Sequence, residues 1–368
     1  MKKVLSYLIF VLSVISCRKI ETPAVMSDEI SFSDPTMMTT RVSNLVTDAD
    51  MLIVKENTLG YGVFASRYMV ADPENTHESF MDDILVSCAV GGDTWSYDAD
   101  SSKDGNQSLY WSPGAAYKFF AIYPYYDKDN DKYDLGISYS IDETEHALKV
   151  TGRHNAGDGE KMLICTGDEN GNSLCPDILY AVKKYAEPYK VGEEREQVSF
   201  EMNHALSALS FKFRNASEYT IKSVTAGSIS DFKNAADYVL LSENGARWSG
   251  LQDVDHEFTV PDITTTVKPG DYYPSQNSAY WYTEFMIPQN FGTYQNSPSF
   301  TFTVTFSDDS NKTYTIKFKD YQVNSTAEHA YTYLSGNHYV YTINVTASKI
   351  SCDVDIVPWI EDEPIKLN

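Results

Sequence analysis

Three things are scarce in this chain of 368 residues: long apolar runs, basic side chains and cysteine. The longest apolar run, Val4 to Ile15, is twelve residues and is broken by Ser6, Tyr7 and Ser13. A helix needs about 20 apolar residues to cross a bilayer, so no segment reads as a stable helical span. Lys and Arg number 29 against 52 Asp and Glu, a formal net charge of −23. A surface this acidic repels phosphate backbones, which excludes nucleic-acid binding as a role. There are five cysteines and no CxxC, and no Cys/His set has zinc-ligand spacing. Long helical periodicity is absent, as is an internal repeat at solenoid or propeller spacing.

Catalytic signatures are missing too. The chain contains no HExxH, no GxSxG, no phosphate-binding Gly loop and no GxGxxG. Its seven histidines are scattered. His204 falls on the apolar side of a strand pattern and reads as a core histidine. His338 stands at a strand entry, where it is expected to bond to backbone, and His154 lies in a polar loop. The run Asp127-Lys128-Asp129-Asn130-Asp131 departs from a calcium loop, with Lys132 and Ser138 where Gly and Glu belong. It reads as a solvated hairpin tip. Paired acids such as Asp82-Asp83 sit in turn contexts and give no glycosidase signal. The expectation is a protein that is not an enzyme and needs no cofactor or metal.

Aromatic residues are abundant, at 13%, with 27 Tyr and 17 Phe. With Thr they favour pleated, half-buried surfaces. Period-2 alternation follows. Phe300, Phe302, Val304 and Phe306 share a face, Asp308 to Asn311 make a turn, and Tyr314, Ile316 and Phe318 return. Tyr339, Tyr341, Ile343 and Val345 mark another strand, and Ile350, Cys352, Val354 and Ile356 the next, with Asp353 and Asp355 outward. One-face burial implies antiparallel sheets packed face to face. The aromatic run Tyr117 to Tyr126 reads as sandwich core; the other reading is a sugar-stacking platform.

One pattern changes phase. Val198, Phe200, Met202 and Leu206 are even-numbered, while Leu209, Phe211 and Phe213 are odd. A one-residue slip inverts every side chain, so the chain between His204 and Leu209 bulges or passes from one sheet to another. With the Pro-, Gly- and Glu-bearing segment 187–196 as a linker, residues 30–193 and 194–368 are expected to form two domains.

Residues 1–17 are an export leader: Met1-Lys2-Lys3, the short apolar stretch, then Val14-Ile15-Ser16-Cys17. That ending looks like a bacterial lipobox, whose cysteine receives diacylglycerol, so Cys17 is the lipidation candidate. The plainer reading is a signal peptide with a chance cysteine. Residues 18–29 are a polar tether. Export permits disulfides, and Cys165 and Cys175 flank a turn-rich segment that can join them; alternatively Cys88, Cys165, Cys175 and Cys352 are all free.

Further landmarks occur in order. Ile30-Ser31-Phe32 is followed by Thr39-Thr40-Arg41, then Gly60-Tyr61-Gly62-Val63-Phe64-Ala65, then Trp111-Ser112-Pro113-Gly114. Next come Val198-Ser199-Phe200, His204-Ala205-Leu206-Ser207-Ala208-Leu209, Met286-Ile287-Pro288-Gln289, Gly336-Asn337-His338-Tyr339 and Val357-Pro358-Trp359. Over essentially its whole length the chain resembles the fimbrillins, lipidated pilin subunits of Gram-negative anaerobes of gut and mouth. The resemblance implies an all-β fold of two tandem transthyretin-like antiparallel β-sandwich domains. It implies an outer-membrane lipid-anchored precursor that ends in a cell-surface fimbria and supports adhesion. The expected partners are other fimbrial subunits, an Arg-specific protease, the outer membrane through the lipid, and host or bacterial surface ligands. By the same resemblance, cleavage after Arg41 removes the first strand, and a neighbour's C-terminal segment fills the groove. Ile360, Ile365 and Leu367 are the anchors of that donor segment, and Arg67 is a second arginine at which cleavage is conceivable. The rival reading is a lipid-anchored surface protein that binds a glycan or host ligand and never polymerises.

Overall fold

A computed structural model describes residues 29–37, 53–55, 58–71, 77–89, 94–97, 109–123, 125, 137–152, 163–164, 178–253, 258–275, 280–324, 326–327 and 329–358. Along the first half run β1 (Thr36–Met37), β2 (Ile53–Lys55), β3 (Thr58–Met69), β4 (Glu78–Ala89), β5 (Ser96–Tyr97), β6 (Ala115–Tyr123), β7 (Ile137–Asp142), β8 (Ala147–Gly152), β9 (Leu163–Ile164), β10 (Leu179–Tyr185) and β11 (Glu201–His204). The second half contributes β12 (Ser207–Asn215), β13 (Ile221–Ser230), β14 (Ala235–Ala236), β15 (Tyr238–Ser242), β16 (Gly245–Ser249), β17 (Phe258–Thr259), β18 (Tyr272–Tyr273), β19 (Tyr282–Met286), β20 (Ser299–Phe306), β21 (Asn311–Lys317), β22 (Asn337–Val345) and β23 (Ile350–Pro358). The fold is all-β, and most of its strand pairs are antiparallel. Among the described residues no helix is long and apolar enough to cross a membrane.

The largest sheet has eight strands in the order β1-β11-β10-β6-β3-β4-β5, with β2 paired to β3. Its central strand β6 is buried from Ala115 to Ile122. Both faces of that strand therefore meet apolar partners, which is why the run Tyr117 to Tyr123 lacks alternation. One face, bearing Phe64, Phe120 and Ile122, packs on a four-stranded sheet ordered β16-β15-β8-β7. The other face, bearing Tyr61, Val63, Tyr117 and Phe119, is covered, among the described residues, by chain segments that carry Ile30, Phe32, Trp111 and Tyr189.

The second sandwich encloses its own core between the β18-β12-β22-β23 sheet, with β19 also on β12, and the β17-β13-β20-β21 sheet. Its β20–β21 hairpin shows how alternation builds it. Phe300, Phe302, Val304 and Phe306 face inward, while Thr301–Thr315 and Thr303–Thr313 bond across the outer face at 2.9 Å. The turn is closed by Asp308, whose Oδ1 accepts from the Ser310 N–H, and by Asp309 at φ 65°.

The phase change after His204 has a clear cause. β11 pairs with β10 of the large sheet, whereas β12 pairs with β19 and β22 of the second sandwich. Ala205 and Leu206 lie buried at the crossing. A second crossing was not foreseen: the β15–β16 hairpin leaves the second half and pairs with β8, setting Val239 opposite Val150. Two pairs depart from the antiparallel expectation, since β12–β22 and β1–β11 are parallel. Parallel neighbours need a long crossover, and residues 216–336 supply one between β12 and β22.

Segment 187–196, read as a linker, is docked. Tyr189 is buried and exchanges backbone hydrogen bonds with Gly114 and Ala115 at 2.8 and 2.9 Å. The Arg195 guanidinium lies over the rings of Trp111, Tyr185 and Tyr189 at 4.8, 5.2 and 5.4 Å. Those cation–π contacts and the stem's apolar packing hold the segment against the sandwich.

Candidate assembly groove

On the open face of the large sheet lies a trough that Ile30 and Phe32 fill, while Thr36–Met37 continue as that sheet's edge strand β1. Ile30 is 0% exposed and Phe32 is 1% exposed. Ser31 and Ser33 alternate with them and are only half-buried, the pattern of a strand with one apolar face. The Phe32 ring stacks on Phe200 at 6.0 Å and meets the edges of Phe119 and Tyr97 at 6.3 and 5.5 Å. Tyr61 and Trp111 form the rest of the apolar floor, Tyr61 edge-on to Phe200 at 5.8 Å and Trp111 to Phe119 at 5.7 Å.

Main-chain bonds fix the register. The Ile30 N–H donates to the Leu109 carbonyl at 2.7 Å. Val198 N–H donates to Ser31 O at 2.8 Å, and Ser33 N–H to Val198 O at 3.1 Å. Thr36 N–H then reaches Phe200 O at 2.8 Å. Phe32 pairs with Val198 but Thr36 with Glu201, so one residue is extra on the outer strand. Pro35, which has no N–H to offer, stands in that interval.

Two tyrosines cap carbonyls of the inserted segment. Tyr97 Oη donates to Ile30 O at 2.8 Å, and Tyr61 Oη to Ser33 O at 3.3 Å. Burial, reinforced by the Asp34 charge, pushes the Tyr61 hydroxyl far above its usual range. Burial also raises Tyr97, opposed by a hydrogen bond from the Leu109 N–H. Both hydroxyls therefore stay protonated and act as donors across the physiological range.

Of the residues singled out from sequence, Cys17, Arg41, Cys165, Cys175, Ile360, Ile365 and Leu367 lie outside the described residues, as do His154 and the Asp127–Asp131 run. Arg67 is in β3, laddered to both β4 and β6. Its guanidinium bonds Glu78 at 3.2 Å and Ser112 Oγ at 2.9 Å, so its peptide bond is shielded by two neighbouring strands. Cys88 and Cys352 are free thiols. Burial pushes the Cys352 thiol up to about 12. Among the described residues no cluster of metal-ligating side chains occurs.

His338 stands at the entry to β22 and meets a side chain there. Its Nε2 lies 2.7 Å from Ser210 Oγ, and Ser210 in turn is 2.6 Å from Thr283 Oγ1. His338 is 3% exposed and burial holds it down at about 4, so it is neutral at pH 7. Tyr280 packs on the ring at 5.1 Å. The pair is a sealed structural contact. His204, expected in the core, is half-buried.

At the other end of the described chain, β23 pairs with β22 and, among the described residues, is the edge strand of its sheet. Asp353 and Asp355 face outward, which blunts an open edge. The capping roles of Tyr61 and Tyr97 and the stacking of Phe200 on Phe32 were not foreseen. The recurrence of Tyr and Phe at alternate positions was the visible signal, but it does not distinguish a groove wall from ordinary core.

The chain is similar in fold to a fimbrial protein of Bacteroides vulgatus, with TM-score 0.50 and 14% identity over 81% of this chain and 92% of that one. A cell adhesion protein described as putative from Bacteroides ovatus aligns at TM-score 0.42 and 13% identity, covering 91% of this chain and 99% of its own. The tip fimbrial protein Mfa3 of Porphyromonas gingivalis aligns at TM-score 0.36 and 12% identity, covering 82% and 94%. No curated protein sequence matches the chain. A family model described as fimbrillin-like matches residues 40–359. The chain belongs to the fimbrillin-like family.

Proposed function

We propose that this protein is a structural subunit of a surface fimbria, exported as a lipoprotein on Cys17 and assembled by strand exchange. The reading takes residues 29–37 as a plug that keeps the subunit monomeric in transit. Cleavage after Arg41 releases it, and the C-terminal segment of another subunit, carrying Ile360, Ile365 and Leu367, takes its place. Two tandem sandwiches, residues 30–193 and 194–368, form the repeating body. The observation that carries the reading is the burial of Ile30 and Phe32 against Tyr61, Phe119 and Phe200.

The physics is consistent with exchange. An emptied trough presents unpaired main-chain groups along Val198 and Phe200, and another strand satisfies them in the same way. Burying an Ile and a Phe side chain contributes about 1.5–3 kcal/mol each. Main-chain bonds that any extended segment can make add to this, so side-chain fit selects the donor.

The test is the N-terminal residue of the protein in fibres isolated from cells. Val42 is the expected residue. If the assembled protein retains Cys17 and residues 29–37, plug removal is refuted. If trimmed protein remains monomeric at high concentration, the chain is a surface-anchored binding protein instead.

A further inference from the structure

The large sheet carries a second concavity, on the face turned away from the plug. It is a cleft of about 810 Å³, within the span of small-ligand sites. β6 and β10 form its floor. The β7–β8 turn and the β15–β16 turn form its two walls.

Lys118 and Lys184 stand directly opposite each other on that floor, as partners in the β6–β10 ladder. Like charges so placed destabilise a sheet. Lys118 is moreover only 8% exposed. Its Nζ donates to the His146 carbonyl at 2.7 Å and lies 5.3 Å from the Phe120 ring centroid. Among the described residues neither lysine is in ion-pair contact with a carboxylate, although the Glu243 charge lies near enough to favour the charged form of Lys118. An ammonium has three donors, and a desolvated one wants more than a single carbonyl.

Histidines line the same space. The His77 and His146 rings lie 4.3 Å apart, with Tyr68 4.7 Å from His77. The Nδ1 of His77 is buried without a hydrogen-bond partner. His146 is held at φ 48°, a left-handed conformation that costs a non-glycine residue about 1–2 kcal/mol. Asp142 maintains the turn by accepting from the Thr144 and Glu145 N–H groups at 3.0 and 2.9 Å. The fold thus tolerates like-charge contact and backbone strain in one place.

The carboxylates of the cleft are on its walls. Glu145 is bound by Arg247 at 2.9 Å, and Glu143 and Glu243 are exposed on the turns. Cations on the floor with acids at the rim seat a monoanion better than a dianion.

We infer that this cleft binds a carboxylated sugar, its carboxylate on Lys118 and Lys184 and its ring between the two turns. The tip of the β15–β16 turn offers the Asn244 amide to ring hydroxyls. An extended acidic peptide suits the site less well, because the site is bounded by turns at both walls. The cleft faces away from the plug, so its occupancy does not depend on the assembly reading.

Calorimetric titration of the intact chain tests this. Glucuronate and N-acetylneuraminate are compared with glucose, inorganic phosphate and an oligoglutamate peptide. Charge-assisted bonds to a buried ammonium correspond to a preference of about tenfold for the acidic sugars over glucose. Lys184→Gln, at an exposed position that leaves the core intact, is expected to remove that preference. Lys222→Gln, whose partner is Asp309 in the second sandwich, is expected to leave it unchanged. Equal binding of glucose, tighter binding of phosphate or peptide, an unaltered preference in Lys184→Gln, or no saturable binding at all each overturns the inference.

Discussion

Replacing Phe32 by Ala separates a plug from a passive tail. The ring is 1% exposed and touches Phe200, Phe119 and Tyr97. Truncating a packed phenylalanine to alanine costs about 3–5 kcal/mol. The loss is expected to appear as local detachment, because the segment is held by main-chain bonds to Leu109, Val198 and Phe200 and by the Tyr97 and Tyr61 hydroxyls. Hydrogen exchange reads it directly. The Ser33, Thr36 and Val198 amides, which close the insertion, are expected to exchange faster by about two to three orders of magnitude. Amides of the β20–β21 hairpin, in the other sandwich, are expected to keep their rates. Phe32→Leu, which refills much of the volume, is expected to recover most of the protection. If Phe32→Ala leaves Val198 protected and shifts stability by less than about 1 kcal/mol, the segment is not part of the core and the groove argument fails.

Other consequences follow from the same coordinates. Glu284 points to the side of β19 that bears Tyr282 and Met286, and burial pushes its carboxyl up to about 7. Its native value is above its unfolded value, so the native state holds the extra proton. Stability is then fully present below the unfolded value of about 4.5 and is lost as pH rises through about 7. Glu284→Gln is expected to flatten that decline in a denaturation series from pH 5 to pH 8; an unchanged slope contradicts the assignment. Brief trypsin treatment of the native protein, read by mass spectrometry, is expected to spare the bonds after Arg67 and Arg195, which are held in a central ladder and an aromatic cage. An early cut at Arg67 would show that β3 is not the strand described. Gly227 sits at a bulge in β13, where an added Cβ would lie 2.7 Å from the Thr301 carbonyl oxygen. Gly227→Ala is expected to lower the melting temperature well beyond the effect of an exposed substitution, by opening the β13–β20 ladder.

Much of the architecture was legible because burial on one face writes itself as period two. Phe300 to Phe306 and Tyr314 to Ile316 declared their hairpin, and the structure sets Phe302 opposite Tyr314. The shift from even to odd between Met202 and Leu209 marked a change of sheet, since a flipped phase has few other causes. Where a strand is buried on both faces, as at Ala115 to Ile122, alternation vanishes and only length and composition remain. Partners distant in sequence were not legible. Nothing in Tyr238 to Ser249 says that this hairpin completes a sheet begun by Ile137 to Gly152. The segment 187–196 looked like a linker because its Pro, Gly and Glu are loop residues, yet Arg195 and Tyr189 fasten it through rings contributed by other elements. The insertion at Ile30 and Phe32 was visible as a short strand, but its capping hydroxyls, on Tyr61 and Tyr97, belong to strands far along the chain. The cleft around Lys118 was invisible for the same reason: its two lysines are 66 positions apart and meet only through the β6–β10 register.

The central claim, that residues 29–37 are a removable strand occupying a groove another strand can fill, has a direct measurement. A chain beginning at Val42 is titrated with a synthetic peptide of residues 28–38, alongside the same peptide carrying Phe32→Asp. Saturable one-to-one binding of the first peptide, suppression of self-association by it, and no binding of the second are the expected results. A chain from Val42 that is folded, stays monomeric and ignores both peptides would contradict the account.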